Sequence, residues 1–107
     1  MTLFIDTTNF ETTTFVLKEK KVFKQKFRIL PHESFNVTKK LEEFLKKNKV
    51  NFSTINKIVV SKGPGSYTGV RVGLSLSQAL SLAWKKPLVV LENTKFMTEL
   101  NKKNPSK

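Results

Sequence analysis

Cysteine is absent from the 107 residues, which excludes a disulfide framework and any thiolate metal site. Histidine occurs once, at His32, and one imidazole without thiols leaves no zinc ligand set to build. Aspartate also occurs once, at Asp6, beside Thr7 and Thr8, with no second carboxylate obviously paired to it. No Ser-His-Asp or Cys-His arrangement can be argued from such a set. No catalytic residue, metal or cofactor is therefore expected. Arginine is scarce, with only Arg28 and Arg71. No window reaches about 18 apolar residues, so no membrane span is expected. The start, MTLFIDTT, has neither a basic leader nor the apolar core of a signal peptide. The expectation is a cytoplasmic protein of one domain.

Lysine is what the chain has in excess. The net charge is +12, from 20 basic and 8 acidic residues, and 18 of the basic ones are lysine. Such a field attracts polyanions, RNA included. The 8 asparagines and 9 phenylalanines that accompany the lysines are also what an AT-rich coding sequence yields. Arginine, the usual bidentate phosphate ligand, is not the residue in excess. Charge by itself leaves both readings open.

Three strands are expected first. Residues 3–8 form a short apolar run, 12–18 are rich in Thr, Val and Phe, and 22–30 alternate. In the third, Phe23, Gln25, Phe27 and Ile29 share one face, and Lys24, Lys26 and Arg28 share the other. A charged outer row of that kind suits a sheet edge. Residues 33–48 have helical spacing, with Val37, Leu41, Phe44 and Leu45 on one stripe. The pattern predicts a strand at 57–61, a long helix at 69–84, a strand at 88–91, and a short helix from Asn93-Thr94 to residue 100. The order β-β-β-α-β-α-β-α implies an α/β fold with a mixed sheet and helices packed on it.

The segment SKGPGSYTGVRVGLSLSQALSLAW, residues 61–84, concentrates all the glycine. It lacks the lysine of a Walker loop, and Thr68 stands where the dinucleotide fingerprint needs its third glycine. It does follow a strand and open a helix, so Gly63, Gly65, Ser66 and Thr68 are a candidate anion-binding turn. A tight strand-to-helix turn, with Pro64 and glycines supplying special dihedrals, is the plainer reading. The helix after it carries one charge, Arg71. Val72, Leu76, Ala79, Leu80 and Ala83 are expected to cover the sheet. Gly69, Gly73, Ser77 and Ser81 then form a second row of small residues, flanked by Val70 and Leu74. Such a row admits a partner helix. On that reading, Gly73→Glu would block pairing and leave the domain folded. His32 and Glu33 read as a helix-start feature rather than a base.

FIDTT near the start, PHES before the first helix, and above all SKGPGSYTGVRVGLSLSQALSLAWKKPLV resemble the TsaB family, also called YeaZ. The resemblance runs over nearly the whole chain, from residue 2 to about residue 99. It implies an actin-like (ribonuclease H-like) lobe over residues 1–101, with 102–107 as a tail. It also implies a noncatalytic role in making threonylcarbamoyladenosine on tRNA. Family members pair with TsaD, the transferase, through helices of their first lobe, and the ATPase TsaE joins that pair. Alone, they often form homodimers through the same surface. Carried over, the contact residues are Val37, Leu41, Gly69, Val70, Gly73, Leu74, Ser77 and Ser81. Family members have two lobes, so a single-lobe member without a complete ATP cleft is expected. Thr7, Thr8 and Asn9 after Asp6, where ATP-binding relatives carry glycine, point the same way. The alternative is a basic RNA-binding module, with Lys24, Lys26, Arg28 and the helix-end lysines facing tRNA.

Overall fold

The computed structural model describes residues 1–9, 11–29 and 36–102. Five strands form one sheet: β1 (Thr2–Asp6), β2 (Thr12–Lys18), β3 (Val22–Arg28), β4 (Lys57–Ser61) and β5 (Leu88–Leu91). The strand order is β3-β2-β1-β4-β5. β1 pairs antiparallel with β2 and parallel with β4. Two helices, α1 (Val37–Lys47) and α2 (Tyr67–Trp84), precede the parallel strands β4 and β5, and α3 (Asn93–Asn101) closes the described order. The β-β-β-α-β-α-β-α order read from the sequence is the observed one.

Alternation along the strands divides the core into two layers. Leu3, Ile5, Phe15, Leu17, Ile58 and Val60 point to the face that α1 and α2 cover. Phe4, Val16 and Val59 point to the opposite face, where Phe96 of α3 meets them. Phe96 packs edge-on against Phe4, with ring centroids 5.6 Å apart. α1 buries Val37, Leu41 and Phe44, as its spacing predicts, and Phe44 stacks at a tilt on Phe15 at 5.8 Å. Burying each such side chain is worth about 1.5–3 kcal/mol. β3 lies at the sheet edge and exposes Lys24, Lys26 and Arg28, a charged row that discourages pairing with another strand.

Element ends differ from the sequence expectation for identifiable reasons. β1 stops at Asp6 rather than Thr8, because the Asp6 carboxylate bends the chain back. Its Oδ1 accepts from Thr8 N at 2.9 Å and from Thr8 Oγ1 at 2.6 Å. α2 begins at Tyr67, two residues earlier than expected, because Ser66 caps it. Ser66 Oγ accepts from Gly69 N at 3.2 Å. α3 is capped at Glu92 and not at Asn93, whose side chain has another use described below. The expected start of the first helix at 33–36 falls mostly outside the described residues, as do His32 and Glu33.

The largest departure is the rotation of α2. Ala79 and Ala83, expected against the sheet, are exposed, while Gly73 and Ser77 are buried there. The small-residue row faces the protein's own sheet. Ser77 Oγ is fully buried and has no hydrogen-bond partner among the described residues. A buried hydroxyl without a partner costs free energy that alanine would not. Ser77→Ala is therefore expected to stabilise the fold by about 1 kcal/mol, raising Tm by roughly 4–8 °C in a domain of this size. A calorimetric melt that moves downward would show that this hydroxyl is satisfied in solution.

Candidate functional site

The glycine-rich turn sits where β1, β4, α2 and α3 meet, and its polar groups are used internally. Ser66 N donates to the Thr8 carbonyl at 2.7 Å, and Gly63 N approaches Ser61 Oγ at 3.4 Å. Asn93 N donates to the Gly63 carbonyl at 2.8 Å, and Asn93 Nδ2 donates to the Pro64 carbonyl at 2.7 Å. Asn93 Oδ1 also accepts from the Ser61 hydroxyl. Thr68 is exposed, whereas the Ser66 hydroxyl is committed to capping α2. Of the four candidate anion-binding residues, Gly63 and Ser66 thus belong to a brace, with Pro64, Thr8 and Asn93, that ties the starts of two helices to the strand ends.

Close approach explains the glycines of α2. A Cβ at Gly69 would lie 2.0 Å from the Thr7 carbonyl oxygen, and one at Gly73 would lie 2.3 Å from Thr7 Oγ1. Thr7 Oγ1 itself donates to the Gly69 carbonyl at 2.5 Å. The helix is seated directly on the loop after β1, with no room for side chains between them. Gly65 meets the next residue of that loop: a Cβ there would lie 2.4 Å from the Thr8 carbonyl oxygen.

The expected contact residues are consequently not brought together on one open face. Val37 and Leu41 lie in the core, and Gly73 and Ser77 lie between α2 and the sheet. Val70 and Leu74 are half-buried along one flank of α2. Ser81 donates its hydroxyl to the Lys86 carbonyl at 2.5 Å, closing the helix end. The outward stripe of α2 is instead Tyr67, Arg71, Gln78 and Leu82. Tyr67 is 76% exposed and Leu82 is 82% exposed. Arg71 lies over the Tyr67 ring, 5.5 Å from its centroid, and its NH1 donates to the Tyr67 hydroxyl at 3.2 Å. Beside this stripe runs a groove between α1 and α2. Its upper part is lined by Thr38, Arg71, Val72, Ser75 and Ala79, and its lower part by Leu41, Leu45, Phe52, Leu80 and Trp84. Sequence periodicity missed the stripe because glycine and serine were read as an outer row, when they are the residues that permit the closest contact inside.

Among the described residues no helix is long and apolar enough to cross a membrane. No group of three or more His, Asp or Glu side chains among them stands together as a metal site.

The family profile described as TsaD, tRNA N6-adenosine threonylcarbamoyltransferase, matches residues 30–106. This chain belongs to the TsaD family, and within it to the TsaB proteins. Over 54 residues it is 46% identical to the tRNA threonylcarbamoyladenosine biosynthesis protein TsaB of Buchnera aphidicola subsp. Baizongia pistaciae. That match covers 50% of this chain and 24% of the relative. The TsaB of Bacillus subtilis is 36% identical over 83 residues, covering 77% of this chain and 35% of its own. The solved structure of YeaZ from Pseudomonas aeruginosa superposes with a TM-score of 0.75 at 25% identity. It covers 85% of this chain and 44% of that one. This TsaB-family chain thus spans about a quarter to a half of the length of these relatives, and its sheet and helices follow the actin-like (ribonuclease H-like) lobe.

Proposed function

We propose that this chain serves tRNA threonylcarbamoyladenosine biosynthesis as a noncatalytic subunit that docks on a TsaD-like transferase through α1 and α2. The observation that carries the reading is the outward face of α2. It presents Tyr67 and Leu82, two large side chains more than three-quarters exposed, beside an apolar groove. Exposed aromatic and aliphatic anchors next to a groove are what a partner helix buries. Family membership supplies the partner's chemistry: relatives named TsaB are described as biosynthesis proteins for this modification. The same face would pair two copies of the chain in the absence of the transferase. A TsaE-like ATPase would then join the assembled pair and not the free chain. The noncatalytic assignment is supported by Asp6, the single aspartate, whose Oδ1 is held by two hydrogen bonds from Thr8.

The test is size-exclusion chromatography with light scattering, on the chain alone and mixed with the TsaD-like protein from the same source. A stable one-to-one complex that persists at moderate salt is expected, since apolar burial is not screened. A chain that elutes as a monomer in both runs would overturn the reading.

A further inference from the structure

The lysines are not spread evenly over the molecule. β1, β4 and β5 are parallel and start level with one another, as Thr2 pairs with Lys57 and Ile58 with Leu88. The connections that precede β4 and β5 therefore reach the sheet at the same end. So does the β2–β3 turn, because Thr2 also pairs with Lys18. That end gathers Lys20 and Lys21 from the turn, Lys46, Lys47 and Lys49 from the end of α1, Lys57, and Lys85 and Lys86 from the end of α2. Three acidic groups, Glu19, Glu42 and Glu99, lie near them: Glu19 is within 3.7 Å of the terminal amine, and Glu99 lines a pocket with Lys57. Lysines in a helix's last turn favour the helix dipole, which accounts for Lys46 and Lys47. It does not account for Lys49, Lys57 or Lys86, which follow or lie outside the helices. A biased composition sets how many lysines there are, not where they are placed.

An aromatic pair stands in the same place. Phe52, in the turn before β4, stacks on Trp84, the last residue of α2, with centroids 5.5 Å apart and planes 20° from parallel. Trp84 rests on the core cluster, and Phe52 remains 49% exposed. The pair has a covered inner side and an open outer side, and Lys46 and Glu42 line the same groove.

We propose that this end is a surface for single-stranded RNA, with an unpaired base stacking on the open face of Phe52, which itself lies on Trp84, and the lysines of this end meeting the phosphates. Flat aromatic faces beside a basic surface are the physical requirements for holding an unpaired strand without reading its sequence. The choice of RNA over another polyanion rests on the proposed role in tRNA modification; the surface itself rests on charge and geometry alone. The sequence offered the exposed Lys24, Lys26 and Arg28 row on β3 for RNA together with the helix-end lysines; of the two, only the helix-end lysines share their end of the sheet with a stacked aromatic pair. Arg28 is also drawn toward Glu11 at 3.5 Å.

The test titrates the 107-residue chain with a 12-nucleotide oligouridylate at several salt concentrations. Anisotropy of a labelled oligonucleotide reports binding, and the emission of Trp84, the single tryptophan, reports stacking. Binding that quenches Trp84 is expected. Phe52→Ala should weaken it about tenfold. Phe52→Leu keeps an apolar cover on Trp84 while removing the aromatic face, and should weaken it similarly. The triple change Lys49→Gln, Lys85→Gln, Lys86→Gln should reduce the slope of log K against log salt by about 2. Lys24→Gln with Lys26→Gln should change affinity less than about twofold. No binding, no change in Trp84 emission, or an equal loss from the β3 pair would overturn the proposal, the last by showing a diffuse attraction to net charge. Phe52 and Trp84 also line the lower part of the groove assigned to docking, so the titration is run at a chain concentration where light scattering shows a monomer; failure under that condition leaves the docking reading standing.

Discussion

Gly73→Glu is expected to unfold the domain. A Cβ at this position already lies 2.3 Å from Thr7 Oγ1 and 3.5 Å from Val60 Cγ2, so there is no space for the longer side chain. The substitution also drives a carboxylate into the contact between α2 and the sheet, beside Thr7 and Val60. An unpaired buried charge costs several kcal/mol, about 3–5 in measured cases. The gain in helix propensity over glycine, about 1 kcal/mol, does not offset this. A domain of this size has a total stability of about 5–15 kcal/mol, and a small one lies toward the low end. Far-UV circular dichroism at 25 °C should show lost helix, or a Tm lowered by more than about 15 °C. A cooperative melt within a few degrees of the parent would mean that α2 faces the other way. The small-residue row would then return to the partner side, as its periodicity suggested.

Leu82→Glu is expected to give the opposite pattern. Leu82 is 82% exposed, so the fold should change by no more than about 0.5 kcal/mol. Placed on the outward stripe of α2, the new charge would have to be desolvated against the partner helix. Loss of about 2 kcal/mol or more, roughly thirtyfold in Kd, is the expected effect on pairing with the transferase. Isothermal titration of the two proteins measures it directly. An unchanged Kd with a confirmed complex would place the interface elsewhere, along the flank of Val70 and Leu74. Together the two variants separate fold from docking, which a substitution in the small-residue row cannot do.

Much of the architecture was legible before any coordinates. The three-strand meander and the α1 stripe of Val37, Leu41 and Phe44 follow from periods of 2 and 3.6, and the strands at Lys57–Ser61 and Leu88–Leu91 from short apolar runs; the latter was expected to be buried but is an edge strand, half-buried with Val90 exposed. The charged outer row of β3 announced an edge strand, and the sheet order confirms it. The turn at residues 61–66 was legible as a special backbone: Gly63 has φ of +99°, which a side chain would strain. The function of that turn was less legible, because a helix N-terminus offers the same N–H groups to an anion or to its own chain. Only the tertiary structure brings in partners from distant parts of the sequence: the Thr8 carbonyl accepts from Ser66 N, and Asn93 donates to the Gly63 and Pro64 carbonyls.

The sequence by itself determined the elements, their order, the family and the excess of lysine, because each is a local pattern or a sum over residues. The tertiary structure decided which face of α2 is which. Periodicity finds a stripe of small residues but not whether it admits a partner or the protein's own β1 loop; the distances from Gly69 and Gly73 to Thr7 answer that. It also decided where the charge gathers. Lysines at residues 20, 49, 57 and 86 are far apart along the chain, and only the register of β1 with β2 and β4, and of β4 with β5, sets them at the sheet end that also carries the Phe52–Trp84 pair.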